Sequence, residues 1–406
     1  MHILIIGIGS LTRDFARNWP EPVLARALQR VGHRVTAVGY LEPDHPAMRV
    51  ADEDIDGIRV IRVPPDLRPD GTLGRRLDAI PRPDIIHIFH LRNVLVWNAT
   101  RWARRHGIPI VHSPVGPFHD AYLVADRERP YESTLQFDHL AYDLGGLVRA
   151  LLREPRPQRQ WYNYLLHAPL RHVTRFIASS HHERRVLHQM GFDERRSDVI
   201  PLWIEPAVPR EPDQRILDGI VGPIVLFIGQ LTPRKGCDRL VEALPALSAA
   251  VPDARVVVVS HNPAQQAHLS ARAAQLGVAA RLQFVGRVSE AQKAALMAAA
   301  ACLVVPSRYE GFGLPLLEAM QAGVPLVASA IPVIDEIVTD GVDGLLVDAA
   351  EPSALAAAIA RLLHDSTLRE RLVAGGRHTI ATRFAEPALL AHVSDTYHRA
   401  QHEVPS

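Results

Sequence analysis

VVPSRYEGFGLPLLEAMQAGVPLVAS, residues 304–329, joins a buried strand to a helix through a short glycine loop. The apolar run ends at Ser307, and Pro315 falls where the first turn of a helix tolerates proline. Between them, the amides of Gly311, Phe312, Gly313 and Leu314 lie among the donors that a helix start leaves without intrahelical partners. Such an end offers partial positive charge and N–H groups to an anion. Two carboxylates, Glu310 and Glu318, flank this loop. A bound diphosphate would repel them, so they suit neutral hydroxyls: Glu310 those of a sugar, and Glu318, read in the first helical turn, a ribose diol. An anion cradle between two diol clamps describes a sugar nucleotide.

A second stretch, IVLFIGQLTPRKGCDRLVEAL at 224–244, follows the same strand–turn–helix plan. Its turn carries Arg234 and Lys235 at the strand's carboxyl end. Two cations there can neutralise a leaving diphosphate, whose charge grows as a glycosidic bond breaks.

Outward from these two stretches, short apolar runs alternate with helix-length amphipathic segments, the pattern of parallel sheets with crossover helices. In the first half, strands are expected at 2–9, 34–40, 58–63, 84–90, 108–113 and 175–180, with helices at 22–31 and 93–106. In the second half, strands are expected at 224–230, 255–260, 281–286, 302–307, 324–329 and 344–348. Helices at 237–250, 263–276 and 289–300 fill gaps between them. Six βα units per half predict two doubly wound Rossmann-like domains, which bind ligands at the carboxyl ends of their strands. Proline and charge at 204–214 mark the join. The expected division is 1–205 for acceptor binding and 206–383 for nucleotide-sugar binding, with 384–406 packing back on the first domain.

Composition narrows the function. A 406-residue chain that is 47% apolar and 22% charged is a folded, water-soluble protein too long for one ordinary core. A formal net charge of +1 gives no global field to recruit nucleic acid or anionic membrane, so any such attraction would have to be local. Two cysteines, Cys237 and Cys302, exclude a disulfide framework and fit a cytoplasmic location. No metal-ligand spacing surrounds them, and no metal is expected. The opening MHILIIGIGS reads as a buried strand.

Several motifs have plainer readings. GIGSLT, from Gly7, lacks the third glycine of a dinucleotide fingerprint, so Gly9 is assigned to close backbone approach beside the ligand. Asp54-Ile55-Asp56 imitates a metal-binding DxD but reads as an acidic turn before an edge strand. His181 and His182 open a helix, where solvation or capping outweighs catalysis. The excursion at 117–173 interrupts the alternation and is read as an acceptor loop. Within it, 149–171 is rich in arginine and aromatics. A solvated or acceptor-loop role is favoured there over docking on anionic lipid through Trp161, Tyr162 and Tyr164.

The Glu310–Glu318 motif, Lys235–Gly236, FVGRVSE at 284–290 and DGVDGLLV at 340–347 resemble family 4 of the GT-B glycosyltransferases. LARALQRVGHRVTAV, PDIIHIFH and GIPIVHSP extend the likeness in outline to the first half. The resemblance implies a GT-B fold, with its two domains facing a central cleft. It also implies retaining transfer of a hexose from a UDP- or GDP-sugar, without metal or further cofactor, to a small-molecule, glycan or lipid-linked acceptor. By position, Lys235 would hold the diphosphate with Arg234 and Gln230 beside it, Glu310 the sugar and Glu318 the ribose. The amides of Gly311 to Leu314 would meet sugar or phosphate, and Arg287 and Val288 would line the base pocket. The chain departs from the family at three places. Gln230 stands for the usual arginine, Val115 for a histidine, and SLTRDFARNW at 10–19 for a double-glycine loop. The first two departures motivate a rival reading, a catalytically impaired partner or sensor protein. An epimerase or glycan phosphorylase on the same scaffold is a third.

Overall fold

A computed structural model describes residues 1–7, 11–13, 17–43, 47–64, 71–90, 94–116, 143–153, 157–206 and 211–403. The chain divides into two compact units after Glu205. The first holds the N-terminal half and takes back the last helix, from Glu386; the second spans Pro206–Ala385.

The first unit's sheet contains β1 (His2–Ile6), β2 (Arg34–Tyr40), β3 (Asp52–Ile55), β4 (Ile58–Val63), β5 (Ile85–Phe89), β6 (Ile110–Ser113), β7 (Arg175–Ala178) and β8 (Ser197–Val199). Their order is β3-β4-β2-β1-β5-β6-β7-β8. All neighbours are parallel except β3, which runs antiparallel to β4 at the edge. On β1, Ile3 and Ile5 enter one apolar cluster while Leu4 and Ile6 enter another, so the strand is covered on both faces. That is why HILII is apolar throughout rather than alternating.

Helices α1 (Pro20–Arg30), α2 (Thr72–Asp78), α3 (Val94–Arg105), α4 (Leu144–Arg153), α5 (Pro157–His167) and α6 (His181–Gln189) accompany this sheet. The second unit contributes α7 (Cys237–Ala250), α8 (Gln266–Gln275), α9 (Glu290–Ala299), α10 (Leu314–Ala322), α11 (Ile334–Ile337), α12 (Pro352–His364) and α13 (Ser366–Arg383). The last helix, α14 (Glu386–His402), packs on the first unit. Buried Tyr397 places its hydroxyl 2.7 Å from His87 Nδ1, and Glu386 pairs with Arg30 at 2.7 Å.

The second sheet contains β9 (Ile224–Ile228), β10 (Arg255–Val259), β11 (Leu282–Gly286), β12 (Ala300–Val305), β13 (Leu326–Ser329) and β14 (Leu345–Val347). Every strand is parallel, in the order β11-β10-β9-β12-β13-β14. The order reverses between β9 and β12, the topological switch point where such sheets take ligands.

The fold corrects some expectations. The first sheet has eight strands rather than six. Asp54 and Ile55 lie in β3 itself, and only Asp56 and Gly57, both left-handed, make the turn to β4. Asp54 accepts a hydrogen bond from the amide of Gly57 at 2.8 Å, so its carboxylate closes a hairpin. Several strands end before the expected position, as β9 does at Ile228 and β12 at Val305. Helix α8 begins at Gln266, three residues after Pro263.

Candidate active site

The residues picked out in the second half converge on the switch point. After β9, Pro233–Lys235 form one turn of 3-10 helix, and Gly236 is left-handed. A side chain at Gly236 would run into the carbonyl of Pro306, so glycine is what lets this turn lie against the end of β12. The two loops are then stitched together. The amide of Arg308 donates to the carbonyl of Arg234 at 2.8 Å, and the Arg308 guanidinium grips Asp238 at 2.8 and 2.6 Å.

This scaffold brings Lys235 and Glu310 into direct contact. The ammonium donates to both carboxylate oxygens at 2.7 and 2.8 Å, Ser307 Oγ donates to Glu310 Oε1 at 2.6 Å, and Arg234 stands 3.8 Å away. Glu310 is 3% exposed. Burial opposes its ionisation, but Lys235 and Arg234 outweigh that and hold the carboxyl below its usual range. The site therefore stores a paired carboxylate and ammonium with a second cation beside them.

Glu318 is held differently. Helix α10 begins at Leu314 after left-handed Gly313, which puts Glu318 in the second turn rather than the first. Its Oε1 accepts from Lys293 Nζ at 2.9 Å, and Lys293 also reaches Glu290 Oε2 at 3.0 Å. Burial works against the Lys293 charge, yet Glu318 and Glu290 raise its pKa. Lys293 escaped the sequence reading because it lies on α9, 25 residues before its partner; its only local signal was Glu290 three positions earlier.

The remaining expected residues occupy the same carboxyl edge. Gln230 is exposed in the loop after β9, with its carbonyl accepting from Thr232. Arg287 and Val288 follow left-handed Gly286 at the end of β11, and Arg287 lies near enough to His261 to lower that ring's pKa after burial has done so. Gly311 and Phe312 lead from Glu310 into the α10 start. Gly9 lies outside the described residues, as does most of 117–173.

The first sheet has its own switch point, between β1 and β5, and a cluster there was not anticipated. His90, left-handed at φ 62°, sets Nε2 2.9 Å from Oε1 of Glu21 on α1. Gly7 makes room, since a side chain there would strike the Glu21 carboxylate. Glu183, also buried, accepts from the amides of Gly116 and Ser179 at 2.7 and 2.6 Å and from Ser179 Oγ at 2.8 Å. Burial raises the Glu183 pKa against those hydrogen bonds and the nearby His90. Val115 is left-handed, with φ 52°. Buried His112 on β6 donates from Nε2 to the carbonyl of His90 at 2.9 Å. The sequence offered no short-range sign of this cluster, whose members lie tens of residues apart. Ser180 caps α6, accepting from the amide of Glu183, so neither His181 nor His182 is the cap.

Comparisons with known proteins agree with this architecture. Residues 221–379 match the family described as Glycosyl transferases group 1, and residues 23–203 match the Glycosyl transferase 4-like domain. The chain is 37% identical over 162 residues to a phosphatidyl-myo-inositol mannosyltransferase of Mycobacterium leprae, covering 39% of this chain and 42% of that one. It is 34% identical over 245 residues to a D-inositol 3-phosphate glycosyltransferase of Xylanimonas cellulosilytica, covering 57% and 58%. These matches span about half the length of the relatives. Anabaena HepE, solved with UDP-glucose, superposes with a TM-score of 0.69 at 18% identity, over 98% of this chain and 100% of that one. With two parallel α/β units, a match in each half and the Lys235–Glu310 site at the second switch point, this chain belongs to the family 4 glycosyltransferases of the GT-B fold.

Proposed function

We propose that the chain transfers a hexose, with retention and without metal, from a UDP- or GDP-linked donor to a hydroxyl of an inositol-containing acceptor. The observation that carries the donor half is the Lys235–Glu310 contact between the loops after β9 and β12. An arriving diphosphate competes with Glu310 for Lys235 and Arg234, which releases the Glu310 carboxylate to accept from sugar hydroxyls. As the anomeric bond breaks, its electron pair stays on the diphosphate, and the two cations stabilise that growing charge. Glu318 binds the ribose diol from α10. The acceptor hydroxyl attacks from the face the leaving group vacates, and its proton passes to the departing diphosphate.

The acceptor half rests on the names of the two relatives, both of which act on inositol compounds, and on the polar cluster of His90, Glu21 and Glu183. HepE, crystallised with UDP-glucose, supports a nucleotide-sugar donor. Thermal-shift screening against UDP-glucose, GDP-mannose and ADP-glucose tests the donor, since a ligand at 100 times its Kd stabilises by about 2.7 kcal/mol. One donor should raise the melting temperature clearly, and transfer from it to myo-inositol, inositol phosphate or phosphatidylinositol should follow. A chain that no nucleotide sugar stabilises would overturn the proposal.

A further inference from the structure

Of the nine large apolar side chains left exposed among the described residues, four lie on the neighbouring helices α4 and α5. Leu144, Val148 and Leu152 are 65%, 55% and 81% exposed, and Trp161 on α5 is 51% exposed. Spacing by four places the first three on one face of α4. The helix buries its other side through Leu147 and Ala150, so this outward stripe is surplus to the fold. No helix among the described residues is long and apolar enough to cross a membrane.

The charge around the stripe is mainly positive, with exposed Asp143 just before Leu144 as a carboxylate at its near end. Residues 144–172 contain five arginines against a single glutamate, in a chain whose formal net charge is only +1. Arg149 is exposed on α4 itself. In the same helical layer, exposed Arg171 donates to His172 at 3.3 Å, and exposed Arg104 from α3 adds its charge there. We infer that α4 and α5 form a docking face for an anionic bilayer: Leu144, Val148 and Leu152 enter the acyl boundary, Trp161 sits at headgroup level, and Arg104, Arg149 and Arg171 meet lipid phosphates.

A second copy of the chain fits this face less well. Four side chains expose a few hundred Å² at most, short of the roughly 800 Å² per partner of a stable interface. A twofold contact would also set the arginines against their own copies. The preference stated from sequence is therefore reversed, and the docking surface begins at Leu144 rather than Arg149. This inference is independent of the donor chemistry.

Co-sedimentation of the full chain with vesicles of phosphatidylcholine, alone or mixed with phosphatidylglycerol, tests it. Binding to the mixed vesicles should exceed binding to the neutral ones and weaken with salt. The double variant Val148→Glu, Leu152→Glu should lower the bound fraction about tenfold, and Arg149→Glu should lower it less. Because these side chains are exposed, melting curves should match the parent. Should the double variant fail to fold, Val148→Ser with Leu152→Ser takes its place. The inference is overturned if the parent does not bind the mixed vesicles, or if the folded variants bind as well as the parent. It is also overturned if light scattering shows a dimer that the same substitutions dissolve while vesicle binding is absent.

Discussion

The carboxyl edges of the two sheets solve one geometric problem in different ways. In the second unit the left-handed turns at the ends of β9, β11 and β12 fall on Gly236, Gly286 and Gly313. In the first unit the ends of β5 and β6 put His90 and Val115 into that conformation. A non-glycine residue held there costs about 1–3 kcal/mol, repaid by the structure around it. Val333, after β13, is the second unit's one such residue among those described. The polar groups differ as well. The second edge stores a cation–carboxylate pair beside a further cation, whereas the first stores buried histidines and carboxylates. A diphosphate site needs the former arrangement. The latter suits uncharged hydroxyls and makes its unit sensitive to acid.

That sensitivity is the largest effect expected. Burial depresses His87 and His112 from 6.5 to about 3, so the unfolded chain takes up protons first as pH falls. Stability present above pH 6.5 is lost on the way down to about pH 3, on the order of 4 kcal/mol per ring. Melting temperatures measured between pH 7 and pH 4 should fall steeply for the parent. They should fall less for His112→Gln, whose amide can still donate to the carbonyl of His90.

At the second edge, Glu310→Gln should lower kcat/KM about 100-fold, near 2.7 kcal/mol. The variant keeps one acceptor oxygen but loses the second, along with the negative charge that strengthens bonds from sugar hydroxyls and balances Lys235. Unchanged turnover would break the contrast between the edges. Next, Lys293→Met should raise KM for the donor about tenfold with little change in kcat, because Glu318 loses its charged partner. Lys293→Arg should restore most of that loss, which a general loss of stability would not permit. The smallest effect concerns exposed Gln230. Gln230→Arg should tighten donor binding only a few-fold, since a charge in contact with water contributes roughly 0.2–1 kcal/mol.

The same contrast explains what could be read in advance. The second unit's strands and its main site carry local signals: unbroken apolar runs, glycine turns, and a proline one residue into α10. Lys235, Arg234 and Glu310 meet because two such turns close adjacent strands. The first unit hides its features in longer-range pairing. Strand β3, DEDI, joins the sheet through charged side chains, with Asp52 held by Arg59 and Glu53 by buried Arg62, so it has no apolar pattern to see. Strand β8 is three residues long. His90 and Glu21 are 69 positions apart, and Lys293 and Glu318 are 25 apart. No spacing rule joins residues that only the folded sheet brings together.

Isothermal titration of the best-bound nucleotide sugar into the parent chain and into Lys235→Ala addresses the central claim most directly. If the turn after β9 grips the diphosphate, the variant should bind about 100-fold more weakly, and its melting temperature should also fall, because Glu310 is left buried without its ammonium partner. Parent-like affinity in a folded Lys235→Ala chain would place the donor elsewhere and contradict the account.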